Sequence, residues 1–369
     1  MSLFETKCFS VIVNPDNQLV PGILRILPRD LSLGDWNNWK REHWAELLQV
    51  IRRCEITLIN TFYDTSVISR PNQDDRLINC SGKQRRIGAD TTIHFDIVPR
   101  YKNEVNLKYD VSGKTVNHTF KDMLYGKPFD FNNAFKPVPE LLDLIESKLN
   151  ATLNTNDFNS YKLEDEFPSK DGCIACVPSH MHPAQTGLAE VSGFRVALDV
   201  RSQEEPGRGF CDLGKYGHVP ALRYWQDNWM EECGDIFAAY RNTVNTVFPT
   251  DSNREFDWMC LMNLAKPEEG THTHIHFIPR TFGGKNYGHD FSMDAATYVS
   301  MDPANKSYLV STFQKVFVSN LVKQDLRIDW PMIYATDPLL FADTKEIKKV
   351  LTVEQNVDAS MARLVNNNL

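Results

Sequence analysis

Along the chain, short runs of apolar residues and stretches of helical spacing follow one another in an order that occurs twice. In the first half, Phe9–Pro15 and Val20–Leu27 are apolar runs parted by turn residues, which predicts two strands. Trp39–Arg53 carries apolar residues at helical spacing with charges on the other side, which predicts a helix. Cys54–Asn60 reads as a strand, a long polar loop follows, and Thr92–Arg100 reads as the strand that closes the unit.

The second half repeats that order. Phe194–Val200, the turn at Pro206 and Gly207, and Lys215–Val219 take the place of the first two strands. Trp225–Tyr240 reads as the helix, Trp258–Asn263 as a strand and His272–Arg280 as the closing strand. Both halves carry an early Pro-Gly, a Trp-led helix, a strand ending in Asn and a terminal Pro-Arg, and four landmarks in one order point to an internal duplication. Turn formers at Asn150–Ser160 mark a linker, and the tail from about Asp290, with an amphipathic run at Tyr308–Leu321, reads as mainly helical.

Composition narrows the class of protein without changing this layout. The 369 residues are 42% hydrophobic and 24% charged, as in ordinary globular chains. A net charge of −8 offers no general attraction to nucleic acid or anionic lipid. No apolar run is long enough to predict a membrane span or a signal peptide, so the expectation is a cytoplasmic protein with no membrane partner. The eight cysteines do not form a secreted disulfide pattern. Cys173 and Cys176 have the two-residue spacing with which two thiolates can reach one zinc ion. The tryptophans Trp36, Trp39, Trp44, Trp225 and Trp229 are expected in the core rather than on a base-stacking surface.

The chemistry concentrates at His272, His274 and His276. On a strand, alternate residues point the same way, so three imidazoles about 7 Å apart are expected on one face. An imidazole can attack phosphorus or bind a metal, and a single histidine in such a place is more often structural.

This sequence, His272-Thr-His274-Ile-His276 followed by Phe277 and Ile278, resembles the signature of the histidine-triad family, with Thr273 departing from an apolar position. The resemblance implies an α+β fold of two tandem histidine-triad-like units, each an antiparallel sheet with packed helices, forming an intramolecular pseudo-dimer with a mainly helical C-terminal tail. The units would be a degenerate copy over residues 1–149, a linker at 150–165, an intact unit over 166–290 and the extension at 291–369. It also implies that His274 attacks the α-phosphate of a small-molecule nucleotide to form a nucleotidyl-histidine, with His272 and His276 orienting it. Asp199 would meet the ribose hydroxyls, with Asn263 and Thr271 as further nucleotide contacts.

Likeness to the galactose-1-phosphate uridylyltransferase branch implies a structural zinc on Cys173, Cys176, His218 and His272, with His180 and His182 as substitutes for His218. In the first copy Thr92, His94 and Asp96 fall at the triad positions and Asn14 takes the place of Asp199, a candidate second site more plausibly kept for packing. Transferase branches generally replace the third histidine, so His276 favours hydrolysis of a phosphoanhydride, phosphoester or phosphoramidate. The zinc knuckle and the two-copy layout favour nucleotidyl transfer or phosphorolysis. A triad metal centre and a nucleotide-binding regulator without turnover are the remaining alternatives, and the molecule would be a monomer with an internal pseudo-dimer or a homodimer.

Overall fold

The computed structural model describes residues 2–16, 18, 22–62, 77–87, 90–100, 108–111, 114–117, 139–155, 158, 185–199, 208–213, 217–247, 256–262, 272–281, 303–322 and 328–330. In the first half the strands are β1 (Ser2–Glu5), β2 (Phe9–Val13), β3 (Leu24–Pro28), β4 (Leu77–Ile87) and β5 (Asp90–Arg100), with helix α1 (Arg41–Phe62) after β3. A small hairpin, β6 (Lys108–Val111) and β7 (Lys114–Asn117), and helix α2 (Pro139–Leu153) follow. The second half has β8 (Gln185–Val191), β9 (Phe194–Asp199), β10 (Gly209–Asp212), helix α3 (Asp227–Val247), β11 (Phe256–Met262) and β12 (His274–Thr281). Helix α4 (Pro303–Val322) and strand β13 (Ile328–Trp330) complete it, and the class is α+β.

All strands except β6 and β7 join one antiparallel sheet of eleven, ordered β1-β2-β3-β5-β4-β11-β12-β10-β9-β8-β13. The two halves meet at β4 and β11, and from that junction each half runs outward in a corresponding order. The register is centred there as well. Ser81 faces Asp96 within the first half, Leu261 faces His276 within the second, and Ser81 and Leu261 face each other across the junction.

The sheet has one apolar side and one polar side because pairing sets which residues share a face. On the helical side Val11, Ile26 and Phe95 follow one another across the first half, and Val196, Cys211 and Ile275 across the second; all six are buried. Helix α1 covers the first group with Trp44, Leu47, Leu48 and Ile51, spaced as one helical stripe. Trp36 and Trp39, in and just after a 3₁₀ turn capped by the Asp35 carboxylate, pack their rings on Phe95 at 5.9 Å. In the second half Tyr240 of α3 stacks on Phe277 at 4.5 Å, and Phe313 and Phe317 of α4 pack behind it. Gly209 of β10 leaves room for this layer, since a Cβ there would run into the Tyr240 phenol, 2.6 Å from its Cζ. All five tryptophans are core residues, as expected.

Several segments differ from the pattern-based expectation. Cys54–Asn60 is the continuation of α1 rather than a strand, because Leu58 and Ile59 extend the same apolar stripe started by Trp44. That helix begins at Arg41, after Trp39 has already turned into the core. The strand that corresponds to β11 is β4, which lies where a polar loop was expected. In the second half the strand after Pro206 and Gly207 is Gly209–Asp212, and Gly217–Ala221 runs irregularly toward α3. The last turn of α2, Asn150–Leu153, occupies the start of the expected linker. The tail contains α4 as expected, together with β13 at the edge of the sheet. Among the described residues no helix is long and apolar enough to cross a membrane.

Candidate active site

The polar side of the sheet carries the histidines. In β12, His274 and His276 alternate with buried Ile275 and Phe277, so both imidazoles project away from the helices, with ring centroids 5.0 Å apart. His272 does not share this pleat. The strand begins at His274, and the His272 ring packs edge-on against His218 at 5.3 Å. The expected row of three is therefore a pair on the sheet and a third histidine joined to another loop.

One hydrogen bond decides the chemistry of the middle histidine. His274 Nδ1 lies 2.8 Å from the carbonyl oxygen of His272. A carbonyl only accepts, so Nδ1 carries the proton, and in the neutral ring the lone pair is on Nε2. The irregular backbone just before β12 thus fixes the tautomer. It is itself fixed by the Thr273 N–H, which donates to the Val219 carbonyl at 2.8 Å and ties the His272 segment to the loop carrying His218.

Register adds two residues that the sequence reading missed. Asp212 of β10 faces His274, and Arg195 of β9 faces Asp212. Arg195 Nε donates to Asp212 Oδ1 at 3.1 Å, with both side chains buried. Glu190 of β8 extends the row, so a carboxylate, a guanidinium, a second carboxylate and His274 follow one another across four strands. The available signal in the sequence was Pro206-Gly207, a turn-forming pair shortly before Gly209, where β10 begins.

The corresponding positions of the first half are occupied differently. Asp96 stands in the place of His276, and Arg25 of β3 holds it through Nε to Oδ1 at 2.8 Å and Nη2 to Oδ2 at 3.2 Å. Asn14 donates from Nδ2 to the same carboxylate at 3.2 Å, and Asp16 takes Arg25 Nη1 at 2.8 Å. Burial pulls the Arg25 guanidinium down, but the two carboxylates more than restore it, so it remains a firmly held cation. His94 Nε2 is 3.9 Å from Asp96 Oδ2, beyond hydrogen-bond length. Asn14 and Asp199 stand two residues beyond Ile12 and Ala197, which face Arg25 and Phe210 in matching registers. The expected correspondence of Asn14 with Asp199 is thus a correspondence of backbone position.

Of the expected metal set, His218 and His272 come together and both are buried, only 4% exposed. Cys173, Cys176, His180, His182, Asn263 and Thr271 lie outside the described residues. Among the described residues no cluster of three or more metal-binding side chains occurs.

Neither a protein-family model nor a curated protein matches the chain. Solved structures similar to it include an ADP-glucose phosphorylase from Arabidopsis thaliana with bound ADP-glucose, at 9% identity over 83% of this chain and 82% of that one, TM-score 0.43. A galt-like protein from Arabidopsis thaliana matches at 8% identity over 83% of this chain and 82% of that one, TM-score 0.44. A uridylyltransferase matches at 8% identity over 80% and 75% of the two chains, TM-score 0.42.

Proposed function

We propose that the protein is a nucleotide-handling enzyme in which His274 Nε2 attacks the α-phosphorus of a nucleotide ester or anhydride. The N–P bond forms as the P–O bond to the leaving group breaks, and the leaving oxygen departs as an anion that takes up a proton from solvent where its basicity requires one. In the second half-reaction an acceptor oxygen attacks the same phosphorus, releasing to solvent any proton it carries, the N–P bond breaks and the imidazole returns to its starting tautomer. The observation that carries this reading is the His274 Nδ1 contact with the His272 carbonyl, which leaves the Nε2 lone pair available without any proton transfer. His276, whose ring is beside that of His274, would act on charge developing at phosphorus, and Asp199, Asn263 and Thr271 would contact the nucleotide.

Transfer to a phosphate-bearing acceptor, as in uridylyltransferases and phosphorylases, is the favoured second step. Its support is the joining of His272 to His218, the two histidines that the transferase-type zinc set requires. Hydrolysis is the second reading, favoured by a histidine rather than a residue of another type at position 276. The test is incubation with labelled nucleotide sugars and dinucleotides, followed by intact mass. A nucleotidyl adduct that is discharged faster by phosphate or a sugar phosphate than by water supports transfer. No adduct with any substrate that is turned over would overturn the mechanism.

The buried pair of histidines fits half of a tetrahedral zinc site, with Cys173 and Cys176 as the other half. Such an ion would fix the His218 loop against the segment that holds His274. We expect one zinc per chain, retained in His274→Ala, and a melting temperature that falls on strong chelation or in Cys176→Ser, because binding energy at a structural site is folding energy. A metal-free protein whose melt is indifferent to chelators would remove the zinc.

The two halves are read as a duplicated unit that forms a dimer-like pair within one chain, a reading supported by the corresponding strand orders on either side of β4 and β11. In the first copy Arg25 is committed to internal ion pairs with Asp96 and Asp16, which supports a packing role. Accordingly His94→Ala is expected to lower turnover by less than about tenfold, under 1.4 kcal/mol of barrier. Steady-state kinetics check this, and a loss equal to that of His274→Ala would mean that both halves act.

A further inference from the structure

On the helical side, away from the histidines, a cleft of about 720 Å³ opens between the β1–β2 turn, α1 and the start of α3. Thr6 and Lys7 line it from the turn, Glu46, Gln49 and Arg53 from α1, and Phe158 closes one side. Its volume falls in the range of small-molecule sites.

Most charges in the cleft are matched. Arg41 pairs with Glu231 at 2.9 Å and Asp235 at 3.3 Å, Arg52 pairs with Asp227 at 2.8 Å, and Glu46, which accepts the Cys8 N–H at 2.7 Å, feels the charge of Lys7. Arg53 is different. Its guanidinium carbon lies 4.1 Å from the centroid of the Phe4 ring and 4.6 Å from that of Phe158, and its Nε is shut from water with no acceptor. None of its donors meets an acceptor among the described residues. Burial pulls the guanidinium below the ordinary arginine range, with no carboxylate drawing it back. Lys7 lies on the same wall, where its charge is opposed by the Glu46 carboxylate that it helps to hold below the ordinary range, so Arg53 is the cation that stands out. Glu42, three helical turns and about 16 Å along α1 from Arg53, is too far to neutralise it.

We propose that this cleft binds a small oxyanion through Arg53. The two rings cover the flat guanidinium and hold it in place, so its N–H edge is preorganised for the planar, two-point contact that carboxylates and phosphates make. Gln49, one turn before Arg53 on the same stripe, is within reach of the bound group. The site stands on the opposite side of the sheet from His274 and does not depend on the proposed reaction.

The test is thermal melting of the full chain with inorganic pyrophosphate or with citrate, each at about ten times its dissociation constant. A rise of about 2 °C is expected with at least one of them. A response to pyrophosphate alone assigns a phosphoryl ligand, and a response to citrate alone assigns a carboxylate. His274→Ala should keep the whole rise, which separates this cleft from the histidine site. Arg53→Met, which keeps an apolar stem against the rings, should lose it. Gln49→Glu provides an internal carboxylate one turn from Arg53, and should melt higher than the unaltered protein without ligand while gaining nothing from the anion. Absence of any rise, a rise unchanged in Arg53→Met and Gln49→Glu, or a rise lost in His274→Ala overturns the proposal.

Discussion

His274→Ala is expected to lower turnover by at least about a thousandfold, close to 4 kcal/mol of barrier, while nucleotide binding changes by less than about tenfold. The effect follows from the role of a covalent nucleophile. Without the ring no N–P bond forms, and water held in its place lacks both the lone-pair geometry and the fixed tautomer. Binding should survive because the proposed ribose and phosphate contacts come from other residues. The fold should survive as well, since the His274 side chain is partly exposed on the polar face and the apolar layer beneath is made by Ile275 and Phe277. Intact mass gives the sharper readout. The unaltered protein should gain the mass of one nucleotidyl group, His274→Ala none, and His276→Ala should still gain it. An adduct of normal yield in His274→Ala, or turnover within tenfold of the unaltered protein, would remove His274 from the mechanism.

The parts of this site that were legible in the sequence are those that depend on local spacing. Alternation over Ile275, His276 and Phe277 correctly gave a strand with one apolar and one polar face, and the repeated Pro-Arg endings aligned β5 with β12. The failures come from long-range choices. Cys54–Asn60 is rich in β-branched residues and reads as a strand, yet it stays helical because Leu58 and Ile59 complete a stripe that packs on the sheet. Gly209–Asp212 is four residues long, too short to show a period, and it becomes a strand only because β9 and β12 lie on either side of it. Missing that strand hid Asp212 opposite His274. His272 left the row because the next residue, Thr273, donates its N–H to the Val219 carbonyl, a contact with no local sequence signal.

The second large effect concerns how the first half holds the second. Glu55 of α1 and Arg223, shortly after the His218 loop, form an ion pair at 3.5 Å in which both side chains are 0% exposed. The same carboxylate accepts the Arg223 backbone N–H at 2.6 Å. Next to it, Arg52 donates to the Trp225 carbonyl at 2.9 Å, so two consecutive turns of α1 grip the segment that leads from His218 into α3. A buried pair contributes little net stability because desolvation of both ions offsets their attraction, but a single deletion leaves one ion buried and uncompensated. Glu55→Ala is therefore expected to destabilise the protein by about 3–5 kcal/mol in urea unfolding. Glu55→Gln, which keeps an acceptor for the Arg223 N–H but removes the charge facing the guanidinium, should fall between that variant and the unaltered protein. The double change Glu55→Leu with Arg223→Met removes both charges and should recover most of the loss, giving a coupling of several kcal/mol in the cycle. The pair of Arg52 with Asp227 is the contrast, because its carboxylate lies at the surface and the buried guanidinium keeps the Trp225 carbonyl. Asp227 is 64% exposed, and Asp227→Ala should cost no more than about 1 kcal/mol. If Glu55→Ala cost as little as that, α1 would be a mere neighbour of the His218 segment, and the tie between the two halves would lie in the β4–β11 pairing and the packing of α1 on α3, where Trp44 stacks on Phe237.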